Sequence, residues 1–194
     1  MFIDNAHAIL RGHIFLIHRR QKIPLGHIHG FGALGFFHTH NLSGESQMRR
    51  ITQHGMNLIK QFEGFSSRIY LDAAGFPTIG YGHLLRAGEA EMFKRGITEP
   101  IAQALLIKDV LRAEQVVLRL ITVPLTNGQF DALVSFTFNL GGGALQRSTL
   151  RRKVNREEHA DVPAELMKWV WAGGRKLKGL AKRRKAEGLI YETT

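Results

Sequence analysis

Cysteine is absent from the 194 residues. That excludes disulfide frameworks, thiolate nucleophiles and zinc-thiolate sites, and it frees folding from any dependence on an oxidising compartment. Acidic side chains are in deficit: 16 Asp and Glu stand against 27 Lys and Arg, a formal charge of +11. The excess points to a polyanionic partner, whether nucleic acid, anionic lipid or an acidic polymer such as a cell wall. No internal repeat is visible. Residues 23–44 contain no Lys, Arg, Asp or Glu, a stretch long enough to raise the question of a membrane span. Four histidines, Pro24 and five glycines within it count against one. A cleavable signal peptide also fits poorly, because the chain opens on Met-Phe-Ile-Asp and no small-residue cleavage site follows a clean apolar run. A weakly hydrophobic, releasable signal-anchor is the remaining membrane reading.

What is present divides in two. Hydrophobic residues make up 44% of the chain, enough for one ordinary domain with a real core plus a spare segment. Seven of the ten histidines lie before residue 48 without helical or alternating periodicity, which places a boundary between Ser43 and Gln47. Residues 1–47 are read as a His/Gly-rich, mostly irregular extension and 48–194 as the working domain, with Met48-Arg-Arg-Ile-Thr looking like an ordinary cytosolic start. The pairs His27/His29 and His38/His40 have no acidic or cysteine companions nearby, so no designed metal site is expected.

Past residue 48 the elements are legible. Thr52 is placed to cap a helix running to Gln61 or Phe62, stopped by Gly64. Arg68–Leu71 and Thr78–Tyr81 read as strands joined by a turn-rich Ala-Ala-Gly-Phe-Pro connection. A long helix is expected from Thr98 to about Ile121, with an apolar stripe that includes Leu105, Leu106, Leu111 and Leu118. Thr126-Asn-Gly-Gln129 forms a capping box that opens a central buried helix, stopped by Gly141-Gly-Gly143. Further helices are expected at 148–155, 161–172 and 179–191.

The densest chemistry lies in Phe62-Glu-Gly-Phe65, Tyr70-Leu-Asp72 and Thr78-Ile-Gly-Tyr-Gly-His83. A helix end and a hairpin folding back on it can bring Glu63, Asp72 and Thr78 to one cleft edge. Two carboxylates across a bond are what glycoside hydrolysis needs: one protonated to donate to the leaving oxygen, the other ionised to activate water. Spacing in sequence does not give their separation in space, so inversion and retention are both open at this level. Phe62 and Phe65 beside Glu63 favour its protonated form, and Asp72 in a turn is expected to stay hydrated and ionised.

These residues resemble a known family, the phage-type lysozymes or endolysins with the muramidase fold, in their lambdoid-phage-like branch. The resemblance rests on Ile59-Lys-x-Phe-Glu-Gly, Tyr70-x-Asp72 and Gly75-x-Pro-Thr-Ile-Gly-Tyr-Gly-His83. It continues through Leu125-Thr-x-x-Gln-Phe-Asp-Ala-Leu-Val-Ser-Phe-x-Phe-Asn139-x-Gly, Ser148-Thr-Leu150 and Gly179-Leu-x-x-Arg-Arg-x-x-Glu187, in the family's order, over about residues 50–191. It implies an α+β lysozyme-like fold: a small β-hairpin lobe and a larger helical lobe joined by a long helix, with the cleft between. It further implies cleavage of the β-1,4 bond between N-acetylmuramic acid and N-acetylglucosamine in peptidoglycan, with inversion. Carried over by position, Glu63 is the general acid, Asp72 positions or deprotonates the water and Thr78 helps hold it. The family also implies a monomer that waits in the host cytoplasm until a holin-like pore admits it to the periplasm and wall.

Around this core, Tyr70, His83, Gln129 and Asn139 are candidates for substrate binding, with His83 more an orienting partner than a base. Gly80 and Gly82 lack the helix and lysine of a phosphate loop and read as close strand packing. Trp169 and Trp171 read as core aromatics or, less simply, as a sugar-stacking platform. No cofactor is needed, because carboxylates and water suffice. Between Arg175 and Lys185 the chain carries Arg175, Lys176, Lys178, Lys182, Arg183, Arg184 and Lys185 and no acid. This run is the solvated face of a packed terminal helix, a patch for the anionic wall, or an amphipathic helix at an outer membrane; the match of Arg183, Arg184 and Glu187 to the family motif implies a packed helix with at least one internal ion pair. A competing class is a non-enzymatic cationic membrane binder. Nucleic acid is not an expected partner, since no stacking-aromatic sheet motif or groove-reading helix pair is present.

Overall fold

The computed structural model describes residues 49–72 and 75–193. The N-terminal extension, with its histidine pairs and uncharged run, lies outside the described residues. Among those described, no helix is long and apolar enough to cross a membrane.

The expected α+β lysozyme-like architecture is observed. Helix α1 (Gln53–Glu63) begins at Thr52, whose hydroxyl accepts from the backbone N–H of His54 and Gly55, and ends at Gly64 with φ 67°. Its start is also held from a distance. The carboxylate of Asp131 accepts from Thr52 N at 2.9 Å, from Gly55 N at 3.1 Å, and from the Thr52 hydroxyl. A Cβ at Gly55 would lie 2.5 Å from the Asp131 Cγ, so glycine is what lets the helix approach its cap.

Strands β1 (Ser66–Leu71), β2 (Pro77–Gly80) and β3 (His83–Leu84) form an antiparallel sheet in that order, with Tyr70 opposite Thr78 and Ile79 opposite His83. Two strands were expected and a third is added, because Gly80 and Gly82 at φ 66° and 90° turn the chain back within two residues. Gly80 also fulfils the close-packing expectation: a Cβ there would meet the Ala102 Cβ at 3.1 Å. After the short α2 (Glu89–Met92), the long α3 (Glu99–Leu120) joins the two lobes. It buries Ala102, Leu105, Leu106, Val110, Ala113 and Val117, while Leu118, expected in the stripe, is 42% exposed.

Helix α4 (Asn127–Leu140) is the core of the larger lobe. Every residue from Phe130 to Thr137 is buried, and the capping box of Thr126 with Gln129 is present as read from the sequence. Helices α1, α3 and α8 (Lys178–Tyr191) pack around it, and β2 packs on α3. The three glycines do not act together as a stop. Gly141 at φ 82° ends α4, and Gly142 and Gly143 begin α5 (Gly142–Arg147). Helix α6 (Thr149–Val154), capped by Ser148, precedes a 3-10 turn at His159–Asp161 and α7 (Val162–Leu166).

The helix expected over 161–172 is therefore cut short. Trp171–Ala172 (β4) pairs instead with Arg175–Lys176 (β5), across Gly173 and Gly174 at φ 56° and 73°, a backbone that ordinary side chains resist. Trp169 is a core aromatic, edge-on to Phe136 at 5.4 Å, whereas Trp171 is 63% exposed.

Candidate active site

A cleft of about 680 Å³ runs between the lobes. The sheet side supplies Tyr70, Asp72, Thr78, Gly82 and His83; the helical side supplies Asn139, Gly141–Gly143 and Gln146; Glu63 lies where they meet. Six of the seven residues expected to be catalytic or substrate-binding thus share one cavity. Gln129 does not. Its amide oxygen accepts from Thr126 N at 2.9 Å to close the capping box, and this commits the side chain to the far end of α4.

Glu63 is the last residue of α1, with its side chain 15% exposed. Its surroundings differ from those expected. Phe65 is 42% exposed and lies against Tyr81 with ring centroids 5.7 Å apart. The direct neighbour of the carboxyl is Arg183, whose Nη1 donates to Glu63 Oε1 at 2.6 Å and whose guanidinium lies 5.6 Å from the Phe62 ring centre. On the opposite side is Gly82, where an added Cβ would stand 3.7 Å from Glu63 Oε2. Arginine therefore holds one carboxyl oxygen, and the other faces the cleft.

Arg183 and Arg184 are 2% and 0% exposed, so they are not part of a wall-facing or membrane-facing surface as expected from the basic run. They belong to a buried network centred on Glu187. Glu187 Oε1 accepts from Ser135 Oγ at 2.8 Å, Arg184 Nη2 at 3.0 Å and Arg183 Nε at 3.3 Å. Arg184 Nη2 also donates to Asn139 Oδ1 at 2.8 Å. That contact leaves the amide nitrogen of Asn139 as the group it can offer to the cleft. The other five basic residues of the run, Arg175, Lys176, Lys178, Lys182 and Lys185, are exposed.

Asp72 is only 9% exposed, not the hydrated turn carboxylate expected. It sits where the chain leaves β1: Phe76 N donates to Asp72 Oδ1 at 2.8 Å, and Asp72 N donates to Phe76 O at 2.9 Å. The same Phe76 carbonyl accepts the Thr78 hydroxyl proton at 3.0 Å. A threonine hydroxyl has one proton and two lone pairs, so with the proton committed Thr78 can only accept from anything in the cleft. Asp72 and Thr78, both fixed to one backbone carbonyl, make a pair of acceptors suited to a water molecule.

His83 is 5% exposed and clamped between two carboxylates, Asp109 Oδ2 at 2.7 Å and Glu89 Oε2 at 3.1 Å. The bond to Asp109 holds the imidazole above its ordinary value of 6.5, against the opposing effect of burial. Burial alone would raise Glu89, but the Arg86 backbone N–H and His83 hold its carboxyl below the usual range. With both ring nitrogens engaged, His83 fits the orienting role. Among the described residues, no group of three or more His, Asp or Glu side chains is arranged to hold a metal ion.

Reading the sequence missed Arg183 as the partner of Glu63, and also Ser135, Asp109 and Glu89, whereas the internal ion pairing expected of Arg183, Arg184 and Glu187 is present. The spacing of Arg183 and Glu187, one helical turn apart in phase with the apolar Leu180, is the signal that was available.

Residues 60–187 match the phage lysozyme family. The endolysin of Bacillus phage B103 is 40% identical over 145 residues, which cover 74% of this chain and 54% of that protein. The chain thus spans about half the length of that relative. The endolysin of Acyrthosiphon pisum secondary endosymbiont phage 1 is 37% identical over 147 residues, covering 74% of this chain and 98% of the relative. Among solved structures, the muramidase domain of SpmX from Asticaccaulis excentricus superposes with a TM-score of 0.67 at 34% identity, covering 75% of this chain and 99% of that one.

Proposed function

The chain belongs to the phage lysozyme family, a family of glycoside hydrolases, and from that premise we propose that it is an endolysin. It hydrolyses the β-1,4 bond between N-acetylmuramic acid and N-acetylglucosamine in bacterial peptidoglycan and so lyses the host. The observation that carries the reading is the convergence of Glu63 with the Asp72–Thr78 acceptor pair on one cleft.

In the proposed reaction Glu63 gives its proton to the glycosidic oxygen as the bond from that oxygen to the anomeric carbon breaks. Arg183 at Oε1 leaves Oε2 to carry that proton, and then stabilises the carboxylate that donation produces. A water held by Asp72 and Thr78 attacks the anomeric carbon from the opposite face, and Asp72 takes the water's proton. The product is inverted. Tyr70, His83 and Asn139 shape the cleft for the sugar, and no cofactor enters the scheme.

The exposed cations Arg175, Lys176, Lys178, Lys182 and Lys185 form a surface apart from the cleft that suits an anionic wall or outer membrane. The enzyme acts as a monomer that stays in the host cytoplasm until a holin-like pore opens the way to the wall. The test is Glu63→Gln on purified peptidoglycan freed of outer membrane. The variant keeps its fold and loses at least about a thousandfold in activity. Undiminished clearance by Glu63→Gln would sink the mechanism and favour a non-enzymatic cationic binder.

A further inference from the structure

An arginine held against a general acid sets up a chemical conflict. The Arg183 guanidinium donates to Glu63 Oε1 at 2.6 Å and so favours the carboxylate, yet the proposed hydrolysis needs Glu63 to arrive protonated. The buried network eases this by dividing Arg183 among three partners. Its Nη1 goes to Glu63, its Nε to Glu187 Oε1 at 3.3 Å, and its Nη2 to the Ser135 carbonyl at 3.3 Å and hydroxyl at 3.4 Å. Glu187 is held in turn by the Ser135 hydroxyl and by Arg184, whose Nε lies 2.9 Å from Oε2. These side chains are out of water: Glu187 and Arg184 are 0% exposed and Arg183 is 2% exposed. Two guanidinia and two carboxyls therefore share one interior cluster, where charges act on one another with little screening. When Glu63 takes its proton, Glu187 remains as the anion of that cluster.

We infer that Glu187 is a positioning residue for the hydrolysis: by holding the Nε side of Arg183 it keeps that cation from committing wholly to Glu63, so that Glu63 can still carry the proton it donates. This rests on the muramidase reading above. Burial pulls the Arg184 guanidinium down to about 10, with Glu187 opposing that fall and Arg183 adding to it, as befits one counter-charge shared between two arginines. The other ionisable groups that face Glu63 across the cleft are Tyr70, Asp72 and His83 on the sheet side, Arg86 beyond them, and Asp109, Arg112 and Arg119 on α3. On α1 itself Lys60 pairs with Glu99, and Asp131 of α4 caps the opposite end of that helix. All of these stay in place when α8 is altered, so a change that follows the charge of α8 reports the Glu187 cluster alone.

The test measures kcat against pH, from the release of new reducing ends on isolated peptidoglycan. In parallel it follows the carbon-13 titration of the Glu63 carboxyl, whose signal is identified by its loss in Glu63→Gln. In Glu187→Gln the alkaline limb of kcat and the Glu63 titration both move toward acid by about one unit, the effect of one charge removed across a guanidinium's width at an effective dielectric of about 20. Arg184→Met unbalances the cluster the other way and moves both toward alkali. Arg184→Met/Glu187→Met removes one charge of each sign and stays within about 0.3 units of wild type. Glu192→Gln, the same charge change at the exposed end of α8, leaves both where they were. An unmoved limb and titration in Glu187→Gln overturn the inference, as does an equal shift in Glu192→Gln or in the double variant. If Glu187→Gln does not fold, Arg184→Met decides, and the absence of an alkaline shift there overturns the inference. A wild type that releases no reducing ends at any pH would instead overturn the muramidase reading, and with it any role of Glu187 in hydrolysis, however the Glu63 carboxyl titrates.

Discussion

Glu187→Gln offers the sharpest test of how the helical lobe holds Glu63, the proposed acid. Glu187 is fully buried and is the shared acceptor for Ser135, Arg183 and Arg184. Burial already pulls the Arg184 guanidinium below its usual value, with Arg183 adding to that and Glu187 opposing it. Removing the negative charge leaves two buried guanidinia with one carboxylate, Glu63, between them. Three bonds to charged groups are weakened or lost, each worth about 1.5 to 3 kcal/mol, while the glutamine oxygen retains one or two as neutral acceptors. The net cost falls near 3 to 5 kcal/mol, the range for breaking a buried pair from one side. For a chain of this size each kcal/mol lowers Tm by about 2 to 4 °C, so calorimetry should show a drop of roughly 6 to 20 °C. Replacing both partners by apolar residues, Arg184→Met/Glu187→Met, leaves less charge stranded and should be more stable than Glu187→Gln alone. A Glu187→Gln protein within about 1 kcal/mol of wild type in denaturant titration would refute the reasoning.

Three other outcomes follow from the geometry. Thr78→Ala should cut kcat by roughly ten- to a hundredfold with little change in KM, whereas Thr78→Ser, which keeps the hydroxyl, retains most activity; equal losses in the two variants would remove Thr78 from the water site. His83 is raised above 6.5, so its bonds to Asp109 and Glu89 stabilise fully below that pH and fade as pH climbs through the folded value. Glu89 is lowered from 4.5, so its share is present above that value and disappears as acid takes pH below it. The Tm advantage of wild type over Asp109→Asn should therefore be fully present just below pH 6.5 and shrink on the alkaline side; an advantage that is constant across that change would contradict the clamp. Neutralising Arg175, Lys176, Lys178 and Lys182 together should weaken killing of intact Gram-negative cells more than digestion of isolated wall, and equal losses in both assays would count against a separate envelope-binding surface.

What the sequence made legible was local. Thr52, Gly64, the Thr126–Gln129 box and Gly141 are caps whose partners lie within a turn, so they follow from residue type and spacing alone. The sheet side of the cleft was readable for the same reason: Asp72 and Thr78 share the Phe76 carbonyl within a single hairpin. Contacts between distant segments were not. Nothing near Thr52 announces that Asp131 caps its helix from 79 residues away, or that Asp109 and Glu89 close on His83.

The basic run shows where more could have been read. Counted as composition, Arg175 to Lys185 is a single cationic stretch, and Arg183 and Arg184 fall naturally into it. Set on a helix of 3.6 residues per turn, the run splits. Lys178, Lys182, Lys185 and Leu189 fall on one face and are exposed, while Leu180, Arg183, Arg184, Glu187 and Ile190 share the opposite face and are buried. The apolar Leu180 and Ile190 fix which side is inward, and an acid at 187 in phase with two arginines is the sign that the inward charges are paired. One helix can therefore serve two ends: its inner Arg183 braces Glu63 in the cleft, and its outer lysines are exposed where the proposed contact with an anionic envelope needs them. Charge neutralisation on the outer face should then leave the inner network, and the acid it braces, untouched.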